Sequence, residues 1–111
     1  EQGGGSLHVT HDLKEAYTGA QVVVAKSWSG MQGYADREAE ARIRQGHRDW
    51  MVCPEKMALT DGAGFMHCLP VRRNVVVHDE VIDSPSSWTN HTAGMRMWTA
   101  IALLEQLLER A

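Results

Sequence analysis

Two short segments of this 111-residue chain carry side chains suited to polar chemistry, and each follows an apolar run. Lys26-Ser27-Trp28 comes directly after Gln21-Val22-Val23-Val24-Ala25, and His67-Cys68-Leu69-Pro70 directly after Phe65-Met66. In open parallel sheets, ligands bind beyond the carboxyl ends of the strands. If both runs are strands, an ammonium, an imidazole and a thiol share one crevice. A nucleophile and base pair formed by Cys68 and His67 is disfavoured, because neighbours on an extended strand point to opposite faces. A free cysteine is more often a small buried hydrophobe. Arg72 and Arg73 follow, and a guanidinium beside such a crevice suits bidentate capture of a carboxylate or phosphate. Two solvated charges would account for that pair equally well. Arg96 falls in what reads as the first turn of an apolar-faced helix, where a cation opposes the helix dipole. A site in need of positive charge gains from that placement; a purely structural helix gains little.

The other histidines read as ordinary packing or surface residues. His8 and His11 have the spacing of a metal pair but too few companions, and His47, His78 and His91 stand alone. The methionines read as helix core and filler. Cys53 and Cys68 lie fifteen positions apart without a CxxC unit, which fits a reduced, cytoplasmic protein and gives no zinc spacing.

Positioning these residues requires alternating strands and helices. Leu7-His8-Val9-Thr10 alternates as a half-buried strand would, Asp12 can cap a short helix through Tyr17, and Gly19 can end it. Gln21 to Ala25 reads as a fully buried strand. A loop from Lys26 to Gly33 leads to an exposed helix over Tyr34 to Arg44. Pro54 can open a helix over Glu55 to Leu59, and Asp61-Gly62-Ala63-Gly64 is a turn before the strand Phe65-Met66-His67. Val75-Val76-Val77 is apolar but reads as extended loop, Asp79 to Ile82 as one helical turn, and Ser84-Pro85-Ser86-Ser87 as a break. A long helix from about Asn90 places Met97, Trp98, Ile101, Leu104, Leu107 and Leu108 on one stripe. The expected class is α/β: a partial three-layer, Rossmann-like parallel sheet with flanking helices and a long C-terminal helix.

Composition narrows the function. A chain with 43% hydrophobic and 23% charged residues suits one soluble domain, and a net charge of −3 gives no footprint for nucleic acid or an anionic membrane. The longest purely apolar run is far below the ~20 residues that span a bilayer.

His67-Cys68-Leu69-Pro70 with Val71-Arg72-Arg73-Asn74 resembles the HCLPxRRN signature of the ornithine/aspartate carbamoyltransferases, in the form found in the N-acylornithine branch. Val24-Ala25-Lys26-Ser27-Trp28 is similar to that branch's lysine-serine-tryptophan loop. Asp79-Glu80-Val81-Ile82-Asp83-Ser84-Pro85 resembles the segment after the signature, and Arg96 matches the arginine opening the last helix. The resemblance implies transfer of a carbamoyl group from carbamoyl phosphate to the δ-amine of an N-acetyl- or N-succinylornithine, in arginine biosynthesis. It implies catalytic roles for His67, Cys68 and Arg96, with His67 and Arg96 on the carbamoyl group. The backbone carbonyls of Cys68 and Leu69 would orient amines, across a cis Leu69–Pro70 bond. Lys26, Leu69 and Arg72 would bind the acylated amino acid, and no metal or organic cofactor is implied.

Three features depart from the family pattern. Val76 stands where acetylornithine enzymes carry a lysine, a position that is apolar in succinylornithine enzymes. Gly94-Met95 precedes the arginine in place of polar residues. No Ser-x-Arg-Thr phosphate motif occurs in the 111 residues. The expectation is an incomplete C-terminal, amino-acid-binding domain over residues 1–111, without its carbamoyl-phosphate domain and inactive alone. The alternatives are a stand-alone binding module or a self-associating remnant. The family's trimeric assembly and the apolar last helix imply a homo-oligomer, by trimer contacts or by exchange of that helix.

Overall fold

The computed structural model describes residues 3–28 and 35–110. Helix α1, Leu13–Tyr17, starts where the Asp12 carboxylate accepts the N–H groups of Lys14 and Glu15. It ends before Gly19, whose φ of 72° suits a residue without a side chain. Strand β1, Val22–Ala25, follows. Of the expected loop after it, Lys26, Ser27 and Trp28 are described; its remainder and Tyr34 lie outside the described residues. Helix α2, Arg37–Gln45, is capped by Asp36. Although polar, it buries Glu40, which Arg44 meets at 3.2 Å. A 3-10 turn, Arg48–Trp50, leads to α3, Pro54–Met57, with proline in its first turn as expected. Strand β2 is Gly64–His67, α4 is Asp79–Ile82, and α5 is Thr89–Glu109.

The two strands pair in parallel, from Val22 opposite Gly64 to Ala25 opposite His67. The other side of β2 is not left bare. Phe65 N–H donates to the Ser86 carbonyl and Trp88 N–H to the Phe65 carbonyl, each at 2.8 Å. Residues that read as a helix break thus cover the strand, and β2 becomes the middle of the layer. Gly64 is required there: a Cβ at that position would lie 2.5 Å from the Trp88 ring.

The core gathers on β2. Phe65 and Val77 are fully buried, with Val52 and Val81 beside them and Tyr17, Val23, Met57 and Ile82 around the rim. Val52 is tied to the apolar stretch after the signature, donating to the Val76 carbonyl at 2.9 Å and accepting from His78 N–H at 2.8 Å. That stretch is a turn closing into a bridge at Val77, not the extended loop its composition suggests.

Three expectations are corrected. Leu7 to Thr10 forms no strand, and Leu7 and Val9 are exposed, because among the described residues no neighbouring strand pairs with that segment. β1 is not fully buried: Val22 and Val24 lie open while Val23 and Ala25 turn inward, so the strand is covered on one face alone. Arg96 is not in the first turn of α5. The helix begins at Thr89, so Arg96 sits about two turns further along. The dipole field fades within the first turn, so the site there depends on the guanidinium itself.

Candidate active site

Register brings the two chemically rich segments together. Because Ala25 pairs with His67, Lys26 and Cys68 leave adjacent strands at the same end. The Lys26 ammonium donates to Cys68 Sγ at 3.4 Å. Arg96 reaches in from α5, its Nη1 3.5 Å from the Cys68 carbonyl oxygen. Arg72 donates from Nη2 to the carbonyl of Trp28 at 3.3 Å, fixing the lysine-serine-tryptophan segment against the signature. The Leu69–Pro70 bond is cis, as expected from the resemblance, and Leu69 adopts a left-handed φ of 50°. A branched side chain seldom holds that conformation, and such outliers gather at functional sites.

His67 is the most deeply buried member of the cluster. It is 1% exposed, and its Nδ1 accepts the Leu69 N–H at 2.9 Å. An N–H can only donate, so Nδ1 carries no hydrogen and the neutral ring holds its proton on Nε2. Nε2 is buried without a hydrogen-bond partner. Burial first, then the Lys26 charge, pushes the imidazole below its ordinary pKa and keeps it neutral. The result is a fixed N–H donor with the Lys26 charge nearby, an arrangement suited to an oxygen gaining negative charge.

The two signature arginines have different fates that their types do not reveal. Arg73 bonds to Asp79 and to Asp83, which lies just past the end of α4. Asn74, at a φ of 56°, clasps Asp79 through both its amide and its carbonyl, at 2.8 and 3.2 Å. The Asn74 amide and the Arg73 guanidinium together hold the Asp79 carboxyl below its usual pKa. Arg73 therefore anchors the turn, leaving Arg72 for the crevice.

One supporting group has no sequence signal. Trp50 lies 5.5 Å from the Trp28 ring and 4.4 Å from His47, centroid to centroid. This stack props Trp28, and with it the carbonyl that Arg72 holds. His47 is thus a packing residue, as expected. His8 pairs with Glu15 at 3.0 Å.

The family model described as the aspartate/ornithine carbamoyltransferase Asp/Orn binding domain matches residues 1–107, and the chain belongs to this family. An N-acetylornithine carbamoyltransferase of Xanthomonas axonopodis pv. citri is 42% identical over 99% of the chain and 32% of its own length. An N-succinylornithine carbamoyltransferase of Bacteroides fragilis is 40% identical over 95% of the chain and 32% of its own length. These similar identities do not bear out the leaning toward the succinyl enzymes that Val76 suggests. Crystal structures of N-acetyl-L-ornithine transcarbamylase are similar in fold. One, a mutant complexed with carbamyl phosphate and N-succinyl-L-norvaline, matches with a TM-score of 0.76 and 45% identity, over 84% of this chain and 28% of that one. Another, complexed with acetylcitrulline, matches at 0.75 over the same shares. The chain thus spans about a third of the length of its curated relatives. Among the described residues, no helix is long and apolar enough to cross a membrane.

Proposed function

We propose that this chain is the amino-acid-binding part of a cytoplasmic carbamoyltransferase that uses carbamoyl phosphate and an N-acylornithine in arginine biosynthesis. The supporting observation is the buried, unpartnered Nε2–H of His67 next to Cys68, on which Lys26 and Arg96 converge at the ends of two parallel strands. In this reading, the δ-nitrogen of the acylornithine attacks the carbamoyl carbon. A C–N bond forms, the C–O bond to phosphate breaks, and the amine's proton passes to the departing phosphate. His67 and Arg96 polarise the carbonyl and stabilise the tetrahedral oxyanion, which is positioning and electrostatics in place of covalent chemistry. The Cys68 and Leu69 carbonyls orient the amines, while Lys26 and Arg72 hold the carboxylate of the amino acid. These 111 residues contain no Ser-x-Arg-Thr motif.

Calorimetric titration of the purified chain with N-acetyl-L-ornithine, N-succinyl-L-ornithine and carbamoyl phosphate tests this reading. Binding of an acylornithine is expected; binding of none of the three would overturn it. Turnover is expected only when the chain is complemented in trans by the remainder of its Xanthomonas relative. Arg96→Ala should abolish carbamoyl-phosphate affinity in that complemented enzyme with an unchanged circular dichroism spectrum. Retained affinity would remove Arg96 from the site.

A self-associating role is favoured by one observation. Met97, Trp98, Leu103, Leu104, Leu107 and Leu108 of α5 are all more than half exposed, a larger apolar surface than isolated soluble chains usually show. A second copy is the proposed cover, by helix packing or exchange. Light scattering should give at least a dimer for the chain and a monomer for Leu104→Glu; a wild-type monomer at high concentration removes this role.

A further inference from the structure

Helix α5 is held to the rest of the chain at its start. Thr89 is its only buried residue, and every position from Gly94 to Glu109 is exposed. The direction of the helix is therefore set where it leaves the sheet, at Trp88. Three contacts fix that residue. Its N–H donates to the Phe65 carbonyl at 2.8 Å, and its carbonyl accepts from both the N–H and the Oγ1 of Thr92, each at 2.8 Å. Its indole lies face-on against Gly64, where a Cβ would stand 2.5 to 2.6 Å from three atoms of the ring. The hydrogen bonds fix the point at which the helix begins, and the ring, a flat plate on the strand, resists its tilting.

The consequence lies two turns along. Arg96 is eight residues past Trp88, and its Nη1 is 3.5 Å from the Cys68 carbonyl oxygen. Eight residues rise about 12 Å, so a tilt of about 5° at Trp88 displaces Arg96 by about 1 Å. Both ends of this span refer to one strand, because Trp88 stands on Gly64 and Phe65 while Cys68 follows His67 at the end of β2. We propose that Trp88 is a positioning residue: its ring, seated on Gly64, aims α5 so that the Arg96 guanidinium meets the strand end at Cys68. This inference rests on the acylornithine reading and adds to it the residue that places the carbamoyl-polarising arginine.

The test is steady-state kinetics of the complemented enzyme carrying Trp88→Ala, Trp88→Phe or Gly64→Ala. Trp88 is 44% exposed, so its truncation leaves the core filled, and circular dichroism should be unchanged. Trp88→Ala should lower kcat/KM for carbamoyl phosphate by about 10²-fold, the scale of a misplacement of about 1 Å, with the KM for the acylornithine unchanged. Trp88→Phe keeps a flat ring on the strand and should recover most of the loss. Gly64→Ala pushes the ring away from the other side and should reproduce it. A Trp88→Ala enzyme with wild-type kinetics, with both KM values raised equally, or with kcat lowered and neither KM moved, overturns this inference and leaves the acylornithine reading standing. Absence of turnover in the wild-type complemented enzyme overturns the two together.

Discussion

His67→Ala is expected to lower turnover of the complemented enzyme by about 10²–10³-fold while leaving acylornithine affinity nearly unchanged, the pattern seen when one preorganised oxyanion donor is removed. The expectation follows from the tautomer: Leu69 N–H fixes Nδ1 as acceptor, so Nε2–H is the only hydrogen the ring can offer. A pH signature accompanies it. Burial and the Lys26 charge depress the folded pKa of His67 below the ordinary 6.5 of the unfolded chain. Between those two values the unfolded state binds the extra proton, so stability rises with pH in that window. The contribution of the neutral ring is fully present above about pH 6.5 and is lost as pH falls toward the folded pKa. Thermal melts of the wild type should drop on acidification from pH ~7.5 to ~5.5, and His67→Gln should flatten part of that drop. Equal slopes for both proteins would place the ring in a more hydrated setting than its burial indicates.

Phe65→Ala is expected to destabilise the chain by about 3–5 kcal/mol, the usual cost of emptying a buried aromatic site. Phe65 is completely buried; its own backbone bonds to Ser86 and Trp88, while its strand pairs with β1 on the other side. Removal therefore leaves a cavity at the one strand that holds the layer together. A domain's whole stability is only about 5–15 kcal/mol, so much of the variant should be unfolded at room temperature. Urea titration followed by circular dichroism measures this, with Phe65→Leu as a milder control costing ~1.5 kcal/mol or less. A midpoint for Phe65→Ala matching that of Phe65→Leu would show that the core closes around the smaller side chain.

Local signals carried far in this chain where the physics is local. Asp12 capping α1, Pro54 opening α3, Gly19 after α1 and the length of α5 depend on side chains within a few residues of one another. The same holds for β1 and β2, whose apolar runs end where the polar segments begin. Lys26, His67, Cys68 and Arg72 were accordingly readable as candidates, since strand ends locate a crevice without further information, whereas Arg96 was read from its helix and Leu69 from the family resemblance.

What the sequence could not decide was which partner each group meets. Leu7 to Thr10 alternates as well as any strand, yet a strand requires a neighbour's hydrogen bonds, and none reaches it. Ser84 to Ser87 reads as a break, yet Ser86 and the adjoining Trp88 cover β2. Arg72 and Arg73 are adjacent and identical; only the turn at Asn74 and the position of α4 direct one to Asp79 and Asp83 and leave the other at Trp28. His67 acquires its neutral Nε2–H donor from burial and a backbone contact, both created by packing. Propensity and capping act over a few residues and can be read along the chain, whereas pairing, burial and pKa depend on what long-range packing brings alongside.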